Sequence, residues 1–267
     1  PWFYVPGELA ARLPEAFAVL LVIALVLAVL ALARFLMRFV RHARRGDARL
    51  AAAQALLTLA RSRALLLVFA AAFAPILFVM VKGSTLYDGI RHLLFTLPML
   101  ALLAAWALMH LWPLIARVPL PAAIAATAYV VALVVNMAML HPLEYVATNA
   151  FAGGTSWSHG RFDLDYWCAA AKEALRRLEE RLATAGPQAP SSPPPRLLIC
   201  IPWREHMVQP MFRREFSVAK SVADADYVIT TERSDCGIGA DGIVIDEVKR
   251  FDRVFARVIA RPRPPPG

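Results

Sequence analysis

FAVLLVIALVLAVLALA at Phe17–Ala33, followed at once by RFLMRFVRHARR at Arg34–Arg45, decides the fold. The first stretch holds no charge and extends in apolar character towards Val40. A helix needs about 20 apolar residues to cross the hydrocarbon core of a bilayer. It must be a helix, because no water there can satisfy exposed backbone groups. The arginines that follow mark the side of the membrane on which the helix ends. Arg34, Arg38, Arg41, Arg44, Arg45, Arg49, Arg61 and Arg63 cluster between this stretch and the next apolar run, as the positive-inside bias predicts for a cytoplasmic loop.

Working outward, Ala64–Val81, Leu93–Trp112 and Ala122–Leu140 read as three further spans. Ala48–Ala60 reads as a surface helix or as an extension of the second span. Lys82–His92 is a short polar turn, and the turn between the third and fourth spans holds Arg117. With Arg34–Arg63 inside, Arg117 is also inside, whereas Lys82–His92 and everything after His141 lie outside. Trp2, Phe3 and Tyr4 suit a membrane–water interface. The chain begins Pro1-Trp2-Phe3 with no leader pattern, and the expectation is that an N-terminal part of a longer protein precedes it.

Composition agrees. Charged residues make up 18% of the chain, against about 25% in a typical soluble domain. The net charge of +9 comes largely from the loop arginines. No aromatic residues are interleaved through Arg41–Arg63 as stacking platforms, so no nucleic-acid partner is expected.

The tail is different. Cys168–Ala183 carries an apolar stripe at Ala171, Ala174, Leu175, Leu178 and Leu182, with Glu173/Arg177 and Arg176/Glu180 as i,i+4 pairs. Residues 185–195 are a Gly/Pro/Ser-rich linker, and 262–267 a disordered end. Strands are predicted at Leu197–Ile201, Tyr227–Thr230, Ile243–Val248 and Val254–Ile259, with a short helix around Val218–Val222. The expected fold class is therefore a mainly α-helical polytopic membrane domain of about four spans (1–140), an outer loop and amphipathic helix (141–184), and a small α/β extracytoplasmic domain (196–261). Of Cys168, Cys200 and Cys236, an external location permits one disulfide without implying it.

Two constellations can carry chemistry. In the turn Tyr87-Asp88-Gly89-Ile90-Arg91-His92, one reading is an interfacial cap: Tyr87 as a belt residue, Asp88 as N-cap, Arg91 snorkelling. The other is a phosphate site at the start of a helix, with Arg91 as the clamp. After the fourth span, His141 and Glu144 are three apart and share a helical face, with Tyr145 and Asn149 following. A metal-ligand reading exists for that pair, although a hydrogen-bonded interfacial pair is the plainer one. Phe162, Leu164 and Tyr166 alternate, which suggests an extended segment docking on the membrane domain. His42, His110 and His206 have no nameable partner.

At these motifs a resemblance enters. LYDGIRHLLFTLPMLALL (Leu86–Leu103) resembles the outer-loop-plus-helix segment of bacterial membrane glycosyltransferases of the C-type fold, similar to protein O-mannosyltransferases and lipid A aminoarabinose transferases. HPLEYVATNAFAGG (His141–Gly154) and GRFDLDYW (Gly160–Trp167) resemble segments of one branch of that superfamily, and the opening PWFYVP resembles its outer aromatic loop. The resemblance implies a sugar donor linked to a polyprenyl phosphate, an acceptor reached from the outer face of the inner membrane, and no certain cofactor, with room for a divalent metal. It implies that Arg91 contacts the phosphate, and makes Tyr87, Asp88, His92, His141, Glu144, Tyr145 and Asn149 candidates for substrate or phosphate binding. The family's catalytic acid lies in a first outer loop that this sequence does not contain, so the catalytic base is unknown. The competing reading is a non-catalytic scaffold or a receptor with an external ligand-binding domain; an acidic pair in an upstream outer loop would favour the enzyme. A transporter is disfavoured by the scarcity of charge in the spans.

Reporter fusions after Ala60 and after Gly186 are expected to report opposite sides of the membrane. The same side for both would refute the topology.

Overall fold

A computed structural model of the chain describes residues 3–45, 48–184, 193–201, 216–234, 236 and 242–261. Residues 185–192 of the expected 185–195 linker, the expected tail at 262–267, Trp2 and His206 lie outside the described residues. The chain divides into two compact units, Pro1–Ala132 with Thr148–Gly153, and Leu133–Ala147 with Gly154–Gly267.

The N-terminal unit is helical. A short helix α1 (Tyr4–Arg12) ends where Pro14 holds the preceding Leu13 in an extended conformation. The long helices are α2 (Glu15–Arg44), α3 (Ala48–Lys82), α4 (Leu97–Ile115) and α5 (Pro119–Leu140). Among the described residues four helical stretches, centred on these, are long and apolar enough to cross a membrane. Ala48–Ala60 proves to be the first part of α3, so the second span and its extension form one helix. Where α2, α3 and α4 meet, Ala24, Ala72 and Ala107 are fully buried beside Leu100 and Leu103. Small side chains let backbones approach closely, which is how helices pack where the solvent is as apolar as the helices. The outer faces stay open: only 6% of the apolar window of α2, and 6% of that of α5, is buried. Exposed apolar surface on that scale is what a bilayer would cover.

The third span does not begin as a regular helix. Arg91–Thr96 is a 3-10 turn, and α4 starts only at Leu97, with Pro98 in its first turn. Proline is tolerated there because its missing N–H would have no intrahelical partner.

The C-terminal unit is a five-stranded sheet in the order β2-β1-β3-β5-β4, covered by α7 (Ala169–Thr184). The strands are β1 (Arg196–Ile199), β2 (Ser217–Val218), β3 (Tyr227–Thr231), β4 (Ile243–Arg250) and β5 (Arg253–Ala260). β1 runs parallel to β2 and β3; β5 pairs antiparallel with β3 and β4. The apolar stripe of α7, from Ala170 to Leu178, packs on Leu197, Ile229, Val248, Phe255 and Val258. The two i,i+4 ion pairs form on its other faces, Glu173–Arg177 at 2.6 Å and Arg176–Glu180 at 2.5 Å. Between α5 and α7 the chain makes 3-10 turns and a short helix α6 (Gly154–Ser158).

Three expectations change. The helix expected around Val218–Val222 is instead β2 followed by a turn, because the N–H groups of Ser217 and Ala219 donate to the carbonyls of Pro195 and Leu197 alongside β1. Gly160–Trp167 is not a regular strand. Its Leu164 is buried in the core of the C-terminal unit, and Asp165 accepts hydrogen bonds from Ala169 N–H and Ala170 N–H at the start of α7. The segment 141–184 and the sheet, read as separate regions, share that one core.

The unit is tied to the end of α5 by Arg250 of β4. Its side chain donates to the carbonyls of Leu140 (3.0 Å), His141 (2.7 Å) and Lys249 (2.8 Å) and pairs with Glu173 of α7 (2.5 Å). The Arg250 side chain is 8% exposed and that of Glu173 10%. Removing one partner of a buried pair strands the other charge in low dielectric. Arg250→Ala is therefore expected to destabilise the protein by roughly 3–5 kcal/mol. Arg257→Ala, which breaks an exposed pair with Glu247, should cost at most about 1 kcal/mol. Thermal denaturation of the solubilised protein distinguishes the two.

Candidate functional site

The turn before α4 is built on two successive left-handed residues, Asp88 (φ 60°) and Gly89 (φ 69°). Gly89 is favoured there for a second reason: a Cβ would lie 3.2 Å from Nε of Arg12, which would have to shift. α1 holds the turn in place. The Gly89 N–H donates to the hydroxyl of Tyr4 at 3.0 Å, and Arg12, beside Gly89, is paired with Glu8 at 2.6 Å with both side chains buried.

The left-handed turn buries Asp88, 1% exposed, and from there its carboxylate takes Arg91 at 3.0 Å. Asp88 does not cap the 3-10 turn, whose N-cap is Ile90. The guanidinium of Arg91 lies 4.6 Å from the ring centroid of Tyr87, within cation–π range. Its Nε donates to Nε2 of His92 at 3.4 Å, and the ring of His92 meets that of Tyr87 edge-on at 5.0 Å. The Arg91 side chain is 20% exposed and Tyr87 is 49% exposed. The arrangement is a cation of fixed orientation, backed by a buried carboxylate and presented beside an aromatic ring. Next to it, Tyr4, Val79, Met80, Gly83, Thr85 and Leu86 line a cleft of about 330 Å³.

The four candidates of this turn therefore come together. The other four divide between the two units. Asn149 belongs to the N-terminal unit, but its side chain is committed to the α1–α2 corner. Its amide donates to the carbonyls of Ala10 and Leu13, both at 2.6 Å, and its oxygen accepts from Ala152 N–H at 3.0 Å. Its backbone N–H donates to Ala11 at 2.8 Å. That is a structural use, not a ligand site.

His141, Glu144 and Tyr145 belong to the C-terminal unit. His141 Nδ1 and Glu144 Oε1 are 2.6 Å apart, exposed. Hydrogen bonds from the backbone N–H of Glu144 and then from His141 hold the Glu144 carboxyl below its usual range. Tyr145 donates to Asp165; burial first, then the Asp165 charge, pushes the phenol up. Burial likewise raises Asp165 to about 6, against the lowering effect of Tyr145 and of the Ala169 and Ala170 N–H groups. Nearby, Asp163, Asp165, Tyr166, Glu232 and Arg233 line a smaller cleft of about 240 Å³. The Glu232 carboxyl there is raised by burial and then by Asp163.

Glu8, Arg12 and the bonding role of Tyr4 were missed in the sequence. The signal was present in the i,i+4 spacing of Glu8 and Arg12, but on so short a segment that spacing also fits an exposed pair. A disulfide joins Cys200 to Cys236, while Cys168 is buried as a thiol beside Thr231. Among the described residues no three His, Cys, Asp or Glu side chains converge as metal ligands. Comparisons with known protein families, with curated proteins and with solved structures find no match to this chain.

The raised Asp165 has a definite consequence. Its carboxyl binds a proton more tightly folded than unfolded, so stability is greatest below the ordinary value of 3.8 and declines as pH rises towards about 6. Asp165→Asn should remove roughly 2 kcal/mol of that pH dependence between about pH 4 and 6. Comparing denaturation curves of the two proteins across this interval checks it; identical pH profiles would contradict the assignment.

Proposed function

We propose that this chain belongs to a membrane glycosyltransferase that moves a sugar from a polyprenyl-phosphate donor to an acceptor on the outer face of the inner membrane. One observation carries the reading: Arg91, oriented by the buried Asp88 and stacked on Tyr87, opens the 3-10 turn that leads into an apolar helix. A lipid-linked phosphate brings its charge to that depth and its chain to the apolar surface beside it. A guanidinium also matches phosphate geometry better than an ammonium does.

In the transfer, the acceptor hydroxyl attacks the anomeric carbon while the bond from that carbon to the phosphate oxygen breaks. The electron pair leaves with the phosphate, and a carboxylate base takes the hydroxyl proton. Arg91 stabilises the charge that develops on the leaving phosphate. Tyr87 and His92 line the approach, Asp88 and Tyr4 hold the turn, and the base is assigned to no residue of this chain.

The orientation is part of the proposal. The arginines joining α2 to α3 favour the cytoplasmic side for that junction. Lys82–His92 and the C-terminal unit then lie on the other side, where the Cys200–Cys236 disulfide is at home in an oxidising compartment.

Arg91→Ala should lower sugar transfer per inserted, folded molecule by about 30-fold or more, the loss expected when one partner of a desolvated charge pair is removed, beside a loss of stability from the stranded Asp88 carboxylate. Arg91→Lys, which keeps the charge but not the fork, should recover part of it. Transfer unchanged in Arg91→Ala, measured with a radiolabelled lipid-linked sugar, would refute the role.

A further inference from the structure

A second cleft, of about 610 Å³, lies in the C-terminal unit where α5 ends. Its lining begins with His141 and Pro142, the two residues directly after Leu140, and continues along α7. We propose that this cleft holds the headgroup of an anionic phospholipid, with its phosphate between Lys172 and Arg176.

Three observations converge on that ligand. The first is depth. α5 is apolar to its last residue and long enough to cross a membrane, so the residue after it lies at the level of lipid headgroups. The second is charge. Lys172 and Arg176 are one turn apart on the exposed face of α7. Lys172 has no hydrogen bond or ion pair among the described residues. Among the described residues Arg176 is held only by Glu180, both about half exposed, and such surface pairs contribute little and exchange readily. The acids of the cleft are already committed. Glu173 is neutralised by Arg250 and Arg177, Glu179 is buried and engaged, and the neighbouring Glu144 is hydrogen-bonded to His141. The charge free to meet a ligand is positive, which favours an anionic headgroup over a zwitterionic one whose ammonium would need an acid. The third is shape. Pro142, Ala169 and Leu175 give the cleft an apolar wall, and its volume falls in the range of about 300–1,000 Å³ typical of small-molecule sites. A bare phosphate would leave most of it unfilled; a glycerol backbone with the first methylenes of its chains would not.

This inference uses no step of sugar transfer and stands or falls apart from it. The test is retention of lipid by the full chain in dodecyl maltoside micelles, read by native mass spectrometry after titration with phosphatidylglycerol. Wild type should retain one phosphatidylglycerol more tightly than phosphatidylcholine or dioleoylglycerol, which lacks the phosphate. The Lys172→Ala/Arg176→Ala double variant should lose affinity roughly tenfold, with an unchanged thermal midpoint because both side chains are exposed. Lys172→Arg/Arg176→Lys should retain the lipid, and Lys220→Ala, an exposed lysine elsewhere, should leave binding as in wild type. Equal retention by wild type and the double variant would overturn the proposal, as would equal binding of dioleoylglycerol. Displacement by inorganic phosphate at the same concentration would reassign the cleft to a soluble anion and overturn it too.

Discussion

The last carbonyl groups of an α-helix have no partner within the helix, and at the end of α5 they would face the boundary between lipid and water. Arg250 meets them. One guanidinium joins Leu140 and His141 at the helix end, Glu173 on α7 and its own neighbour on β4. A lysine could not make these contacts together, because its ammonium lacks the planar fork. The core formed by α7 and the sheet, into which Leu140, Leu143 and Val146 also pack, is organised around that junction. The last turns of an apolar helix and a water-facing sheet therefore belong to one compact unit.

The N-terminal unit handles charge by the same logic on a smaller scale. Glu8 with Arg12 and Asp88 with Arg91 are matched pairs, and both carboxylates are almost fully withdrawn from solvent. An isolated charge at such a site would be expensive. Pairing makes each set nearly neutral and leaves one guanidinium, that of Arg91, at the surface with its orientation fixed. The left-handed conformation of Asp88 and Gly89 turns the carboxylate inward while Arg91 stays at the opening.

Much of this was legible in the chain because the constraints behind it are coarse. Lipid demands apolar length, so the long helices could be found from Phe17, Ala64, Leu93 and Ala122 onward. The stripe on α7 and its two ion pairs follow from a period that any amphipathic helix shares. β3, β4 and β5 were found to within a few residues by their branched side chains. What escaped depends on distant partners. β2 is two residues long and exists as a strand only because β1 offers a ladder. Nothing near Arg250 in the sequence announces that it will cap a helix that ended 110 residues earlier. The chain's three cysteines could be paired in more than one way, and only the fold brings Cys200 and Cys236 to a Cα separation of 5.5 Å. At the site, the turn was recognised by residue type, but its clamp by Tyr4 and Arg12 spans the whole set of long helices between α1 and α4.

Asn149 adds a matter of timing. The corner between α1 and α2 is among the first parts of the described chain to be made, yet its carbonyls at Ala10, Ala11 and Leu13 wait for a residue delivered more than a hundred positions later. Glu15 waits likewise for the N–H of Ala150. By then the ribosome has released all four long helices. The corner can therefore close only after α2 to α5 have been made. Six residues, Thr148–Gly153, thus return to the first unit after the second has begun.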